Sequence, residues 1–195
     1  TNIRPLLKNI GMYNIAYRLY FFIFSIKTFS KNRFRRIFQK TAPILLYHRV
    51  VNLSKDPIKL AVTPACFEEH LVFLKKNYDV ISLSELSKRS VTGTLRGNEA
   101  SITFDDGYKD NLANALPLLE KYNVPATIFI TTGHLGETAS FEWDMEYSEL
   151  DRAIFLNTEE IQQLSKHPLI TIGAHTEHHV RLANLSPEKQ KEEIL

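Results

Sequence analysis

Short apolar runs alternate with amphipathic segments along the chain after Thr41. Five apolar runs are predicted as strands, and they cover 43–50, 78–83, 100–104, 124–132 and 167–174. Five helical patterns lie between and after the strands. Two of them begin with a capping residue followed by proline, at Thr63 with Pro64 and at Ser186 with Pro187. The others lie in SLSELSKR, in DNLANALPLLEKYN with a break at Pro117, and in the segment that begins at Thr158. Because the strands are continuously apolar, this order predicts an α/β fold with a mostly parallel sheet covered by helices.

Polar residues stand at the ends of several predicted strands. They are His48, the pair Asp105 and Asp106, the loop 131–134, and His175. In parallel α/β sheets, binding and catalytic residues collect at the carboxyl ends of the strands. Two adjacent aspartates repel each other and are costly to desolvate, so we expect a bound cation to offset them.

The segment AHTEHHV, residues 174–180, places three histidines at the end of the last predicted strand. If the chain turns helically there, His175 and His179 share one face. A pair of His175 and His178 is also possible, and the spacing of four is favoured. Two imidazoles and one aspartate from the strand end near residue 105 would give three ligands of a tetrahedral zinc, with a fourth position open for water. Taken alone, a strand-end aspartate is usually a helix cap or a turn residue, and a lone histidine is usually an ordinary surface or core residue.

The first 40 residues differ in composition from the rest. They hold nine Lys and Arg and nine aromatic residues without an Asp or Glu, whereas residues 41–195 carry 15 basic and 22 acidic side chains. The longest uncharged run in YRLYFFIFSIKTF has eight residues, too few to span a bilayer, and no signal-peptide cleavage site follows it. We therefore predict a domain boundary near Thr41. Residues 1–40 would form a basic aromatic helix that either anchors the protein at a membrane surface or packs against the following domain.

Other partners and compartments are constrained less strongly. Nucleic-acid binding is not expected, because the chain after Thr41 is acidic. A membrane-associated or cell-envelope location is favoured by the basic aromatic segment. The single cysteine, Cys66, excludes an internal disulfide and a cysteine-rich metal site.

Two motifs of the chain resemble those of a known family. TFDDG at 103–107 and HTEHH at 175–179 resemble, in order and separation, the first two motifs of the polysaccharide deacetylase family, the NodB-homology domain or carbohydrate esterase family 4. YHRV at 47–50, the Pro-Ala-Thr run at 125–127 and TTGHLG at 131–136 resemble the surroundings of those motifs. The resemblance covers roughly residues 43–195. It implies a distorted (β/α) barrel, incomplete at its C-terminal end, and metal-dependent removal of acetyl groups from carbohydrate.

The resemblance also implies roles for individual residues. It makes Asp105 the catalytic base, and it makes Asp106, His175 and His179 the ligands of a divalent metal. Zn²⁺ is the first candidate for that metal. A bound zinc ion would lower the pKa of its water to about 7, and Asp105 would assist the attack of that water on the acetamide carbonyl. We expect the general acid in later motifs of the family, which would lie beyond Leu195, so this chain could bind metal and yet turn over poorly.

Two further residues are candidates for supporting roles. His48 is assigned as a structural residue behind the metal ligands rather than as the missing acid. Trp143, the only tryptophan, lies in FEWDMEY and either faces a sugar ring or anchors the loop in the barrel rim. The leading hypothesis is an N-deacetylase of an N-acetylglucosamine-containing glycan. The alternatives are a deacylase of an O-acetyl, N-formyl or lipid-linked sugar, and a non-catalytic glycan-binding module.

Overall fold

The computed structural model describes residues 40–138, 141–149 and 151–195. The helix predicted within residues 1–40 lies outside these ranges, apart from Lys40, and the boundary near Thr41 stays a prediction. Residues 42–95 and 99–195 belong to one compact unit, which carries the candidate site. Among the described residues, no helix is both long and apolar enough to cross a membrane.

A parallel sheet of five strands forms the centre of this unit. The strands in chain order are β1 (Ile44–Tyr47), β2 (Arg49–Val50), β3 (Ala61–Val62), β4 (Asp79–Val80), β5 (Glu99–Phe104), β6 (Ala126–Ile130) and β7 (Ile170–Ala174). The main sheet has the order β1-β5-β6-β7, and β4 pairs with the start of β5. β2 and β3 form a separate parallel pair. The predicted α/β class with a mostly parallel sheet is confirmed, and closure into a barrel stays a prediction.

Five α-helices accompany the strands in the described ranges. They are α1 (Pro64–Asn77), α2 (Leu83–Val91), α3 (Leu116–Tyr122), α4 (Thr158–Ser165) and α5 (Pro187–Ile194). The predicted starts of α1 and α5 are confirmed, since Thr63 and Ser186 each accept a backbone N–H of the first turn. The break at Pro117 is also confirmed, because a π-helical turn, Asn111–Ala115, ends where α3 begins.

Several strands are shorter than the apolar runs predict. The run 43–50 divides at His48, because Arg49 and Val50 leave the main sheet and pair with β3. The run 78–83 shortens to two residues, because Ser82 accepts the Glu85 N–H and caps α2. Hydrophobicity alone does not show where a cap or a change of sheet interrupts an apolar run.

The core packs on β5, which is buried at all six positions. The rings of Tyr47, Phe67 and Phe104 contact one another with centroids 5.1–5.7 Å apart. The charge of the fully buried Glu99 is met by Arg89, whose Nη1 lies 3.3 Å from the Glu99 carboxylate. This packing buries β5 from its first residue to its last, and the candidate site begins at its carboxyl end.

Candidate metal centre

The two aspartates follow β5 on a sharply turning backbone. Asp105 still extends the sheet, because its N–H donates to the Tyr47 carbonyl at 2.9 Å. Asp106 and Gly107 then both take left-handed conformations, with φ of 72° and 80°. The φ of Gly107 is one that only glycine adopts readily, and a Cβ at position 107 would also lie 3.0 Å from the end of the Ile130 side chain. The turn leaves the Asp106 side chain 1% exposed.

The three histidines lie on a compact loop after β7, residues 175–179, which we call the His loop. Its first N–H, that of His175, donates to the Ile130 carbonyl at 2.8 Å. Thr176 and His179 have φ of 63° and 57°, and the Thr176 hydroxyl accepts the His179 N–H at 2.9 Å. These left-handed residues cannot belong to a right-handed helix. The helical turn predicted for this segment is therefore wrong.

Asp106, His175 and His179 converge on one point despite the absence of that helix. Nε2 of His175 and of His179 lie 3.6 and 3.4 Å from Asp106 Oδ1, and the three potential ligand atoms all lie within 4.8 Å of one another. Two atoms bound to a tetrahedral zinc at 2.0–2.1 Å are about 3.4 Å apart. Both the spacing and the donor set, one carboxylate and two imidazoles, fit a zinc ion.

The structure separates His178 from this group. Its Nδ1 lies 3.0 Å from Glu193 Oε1, and its side chain is half exposed. The structure brings His175 and His179, the pair with the favoured spacing of four, to Asp106. It does not bring the alternative pair of His175 and His178 together there.

Burial sets the electrostatics of the imidazoles. It lowers the pKa of His179, and the neighbouring His175 lowers the same pKa further. Burial also lowers the pKa of His48, while the Asp105 carboxylate acts in the opposite sense on both groups. Neutral imidazole is the form that binds a metal. Asp105 and His48 thus belong to the electrostatic surroundings of His179.

The backbone of His48 is held by a side chain from the next segment. Its carbonyl accepts the Asn111 side-chain amide at 2.8 Å, which ties the end of β1 to the π-helical turn. The structural role expected for His48 stays a prediction.

Trp143 lies on the short 3₁₀ turn Glu142–Glu146, beside the cluster. Its ring is centred 4.6 Å from that of Phe141 and 5.2 Å from that of His179. Its indole N–H donates to the Tyr108 hydroxyl at 3.4 Å. The half-buried Trp143 therefore packs into its loop and also contacts one of the candidate ligands, His179.

A buried cation, Arg49, received no role of its own in the sequence analysis. Arg49 is 5% exposed, its Nε lies 3.0 Å from Asp110 Oδ2, and its Nη1 donates to the Asp151 carbonyl at 3.0 Å. The guanidinium also lies 5.4 and 5.6 Å from the ring centroids of Tyr108 and Tyr147. Its signals in the sequence were a charge inside an apolar run and its place in YHRV at 47–50, but neither indicated its partners. Arg49 connects the segment after β5 to the loop that contains Asp151.

The segment that carries the candidate site matches a known protein family. A family model described as polysaccharide deacetylase matches residues 92–195, which include both aspartates and the His loop. The chain belongs to the polysaccharide deacetylase family. The resemblance seen in the two sequence motifs is thereby confirmed.

Curated relatives match the chain over most of its length. YxkH of Bacillus subtilis (strain 168) is 32% identical over 155 residues, which are 78% of this chain and 48% of that protein. A poly-beta-1,6-N-acetyl-D-glucosamine N-deacetylase of Staphylococcus aureus (strain MSSA476) is 28% identical over 151 residues, 71% of this chain and 49% of that protein. The chain spans about half the length of these curated relatives.

Solved structures agree with the family and the fold. The deacetylase PplD of Streptococcus pyogenes, solved in complex with acetate, superposes with a TM-score of 0.62 at 26% identity, over 78% of this chain and 64% of that one. The polysaccharide deacetylase BC0361 of Bacillus cereus superposes with a TM-score of 0.58 at 25% identity, over 76% of this chain and 43% of that one.

Proposed function

We propose that this member of the polysaccharide deacetylase family is a metal-dependent hydrolase that removes N-acetyl groups from an N-acetylglucosamine-containing glycan. The observation that carries the proposal is the convergence of Asp106, His175 and His179, whose ligand atoms lie within 4.8 Å of one another beside a second carboxylate. The S. aureus relative, named for deacetylation of poly-beta-1,6-N-acetyl-D-glucosamine, supports an acetamide substrate.

In this proposal the two adjacent carboxylates have different roles, one in metal binding and the other in base catalysis. Asp106, with His175 and His179, holds a divalent metal, Zn²⁺ by the donor set and spacing. When bound, such an ion polarises the acetamide carbonyl and makes water acidic near neutral pH. Asp105 accepts the proton of the attacking water as general base. The turn at Asp106 and Gly107 allows neighbouring residues to take these different roles.

The aromatic residues beside the candidate ligands, Trp143 and Phe141, support a carbohydrate substrate. Trp143 packs on Phe141 and against His179, so its exposed part borders the place where an acetamide would have to lie. Aromatic faces suit the apolar faces of sugar rings, and the Tyr108 hydroxyl limits the movement of the indole. We assign Trp143 to substrate binding on this basis.

Two broader expectations stay part of the proposal. The first is closure of the sheet into the distorted barrel of the NodB-homology type, which membership of the family supports. The second is association of residues 1–40 with a membrane surface, for which the support is their nine basic and nine aromatic residues.

The test is acetate release from N-acetylglucosamine oligomers by the full-length protein loaded with Zn²⁺. Asp105→Asn should keep about one zinc per chain and lose roughly 10²–10⁴-fold in rate, the usual contribution of a general base. Asp79→Asn, a matched change at a partly exposed aspartate of β4, serves as control. An unchanged rate in Asp105→Asn would contradict the proposed base, and release from O-acetyl esters alone would favour an esterase.

A further inference from the structure

The His loop carries two of the three proposed ligands on an uncommon backbone. Thr176 and His179 have φ of 63° and 57°. Residues other than glycine adopt this conformation rarely and keep it only where the surrounding structure holds it. The positions of both imidazoles therefore depend on the contacts that hold the loop.

One side of the His loop is held by the segment that follows β6. The Thr132 N–H donates to the Thr176 carbonyl at 3.2 Å, and the Gly133 N–H donates to the Glu177 carbonyl at 2.8 Å. A Cβ at position 133 would lie 2.7 Å from that same carbonyl oxygen. This approach fixes the carbonyl groups of Thr176 and Glu177 and leaves the N–H groups of Glu177 and His178 to another partner.

That partner is a single residue in the last turn of α5. The Glu193 carbonyl accepts the Glu177 N–H at 3.0 Å, and its carboxylate Oε2 accepts the His178 N–H at 2.9 Å. Its Oε1 lies 3.0 Å from His178 Nδ1. The Glu193 side chain is only 14% exposed, although α5 is otherwise a mostly exposed helix.

We propose that Glu193 is a positioning residue of the metal centre. By binding two successive N–H groups just before His179, it holds the turn that sets His179 Nε2 at 3.4 Å from Asp106 Oδ1. By engaging the His178 ring, it also keeps that imidazole from replacing its neighbour as a ligand. This inference rests on the proposed metal-binding function.

The experiment measures the Zn²⁺ dissociation constant of the whole chain and of four variants. Glu193→Ala removes the carboxylate, and Glu193→Asp withdraws it by one methylene while keeping its charge. Glu193→Gln keeps an oxygen that can accept the His178 N–H. The matched control is Glu192→Ala, whose side chain is exposed and makes no hydrogen bond to the His loop among the described residues.

We expect Glu193→Ala and Glu193→Asp to bind one zinc with affinity about 10–100-fold weaker, the usual effect of losing a group that orients metal ligands. Glu193→Gln should recover most of the affinity, and Glu192→Ala should equal the wild type. With Co²⁺ as the probe, the visible absorption bands should shift in the Ala and Asp variants, because the ligand geometry changes. A purely structural role of Glu193 in α5 would not alter that spectrum.

The outcomes separate the inference from the function on which it rests. Circular dichroism must show each variant folded at the temperature of titration, and if Glu193→Ala fails to fold, the Asp and Gln variants make the same comparison. Wild-type affinity in folded Glu193→Ala or Glu193→Asp would overturn the positioning role alone. A folded wild-type chain that binds no Zn²⁺ would overturn the metal centre, and the positioning role with it.

Discussion

The Asp106 carboxylate is the least exposed group of the candidate centre. It is 1% exposed, and two imidazole nitrogens lie 3.4 and 3.6 Å from its Oδ1. Burying a carboxylate is costly unless a cation or strong donors compensate it. A divalent ion shared with two neutral imidazoles would provide that compensation. At the scale of the residue, we therefore expect a divalent ion, rather than a proton, to compensate the Asp106 carboxylate.

This geometry predicts an asymmetry between neighbouring histidines. His179→Ala and Asp106→Ala should each weaken Zn²⁺ binding by more than about 100-fold, since even supporting groups are worth 10–100-fold. His178→Ala should keep one zinc per chain, because its ring faces Glu193. Isothermal titration and metal analysis of the purified variants provide the measurement. Loss of zinc in His178→Ala with retention in His179→Ala would reverse the assignment.

At the scale of the element, β6 and β7 bring the two halves of the centre together. They pair in register from Ala126 with Ile170 to Ile130 with Ala174, and the ladder continues to the His175 N–H. Gly173 stands opposite Phe129 in this pair, and a Cβ at position 173 would lie 2.5 Å from the Phe129 ring. The same ring is centred 6.5 Å from that of His175.

Gly173→Ala should therefore destabilise the protein. The added methyl group must displace the Phe129 ring, and overpacking of this kind costs about 1–3 kcal/mol. Urea unfolding of the single variant measures the loss. The double variant with Phe129→Leu provides the control, because a smaller side chain opposite Gly173 should relieve the clash and make the two effects non-additive. Strict additivity would show that the ring is not the obstacle.

At the scale of the whole molecule, the centre joins distant parts of the chain. Asp106 follows β5 and the His loop follows β7, and the two are separated in sequence by α3, β6 and α4. An ion bound by all three residues requires both loops in their folded positions. Metal binding and folding should therefore be thermodynamically linked.

This linkage predicts a metal-dependent melting temperature. Free Zn²⁺ at 100 times its Kd should stabilise the folded chain by about 2.7 kcal/mol, which raises the Tm by roughly 5–10 °C for a chain of this size. A chelator should reverse the shift, as calorimetry with and without metal can show. Asp106→Ala should not respond to Zn²⁺, and an equal response in that variant would indicate that the ion binds elsewhere.

Local signals in the sequence determined much of this protein. Thr63 and Ser186 set helix starts, Pro117 set a break, and continuous apolar runs set a parallel α/β sheet, because caps, rings and burial act over a few residues. The motifs around Asp105 and the His loop were enough to indicate the family. They also placed polar groups at the carboxyl ends of strands, where parallel sheets bring them together.

Only the tertiary structure decided the arrangement within the site. A helical spacing suggested His179, yet a left-handed turn brings it to Asp106, and that turn exists because residues after β6 and in α5 hold the loop. The division of the first apolar run and the buried Arg49 likewise depend on partners far away in sequence. Such contacts leave no local pattern, because each residue's conformation is chosen by neighbours that only the folded chain supplies.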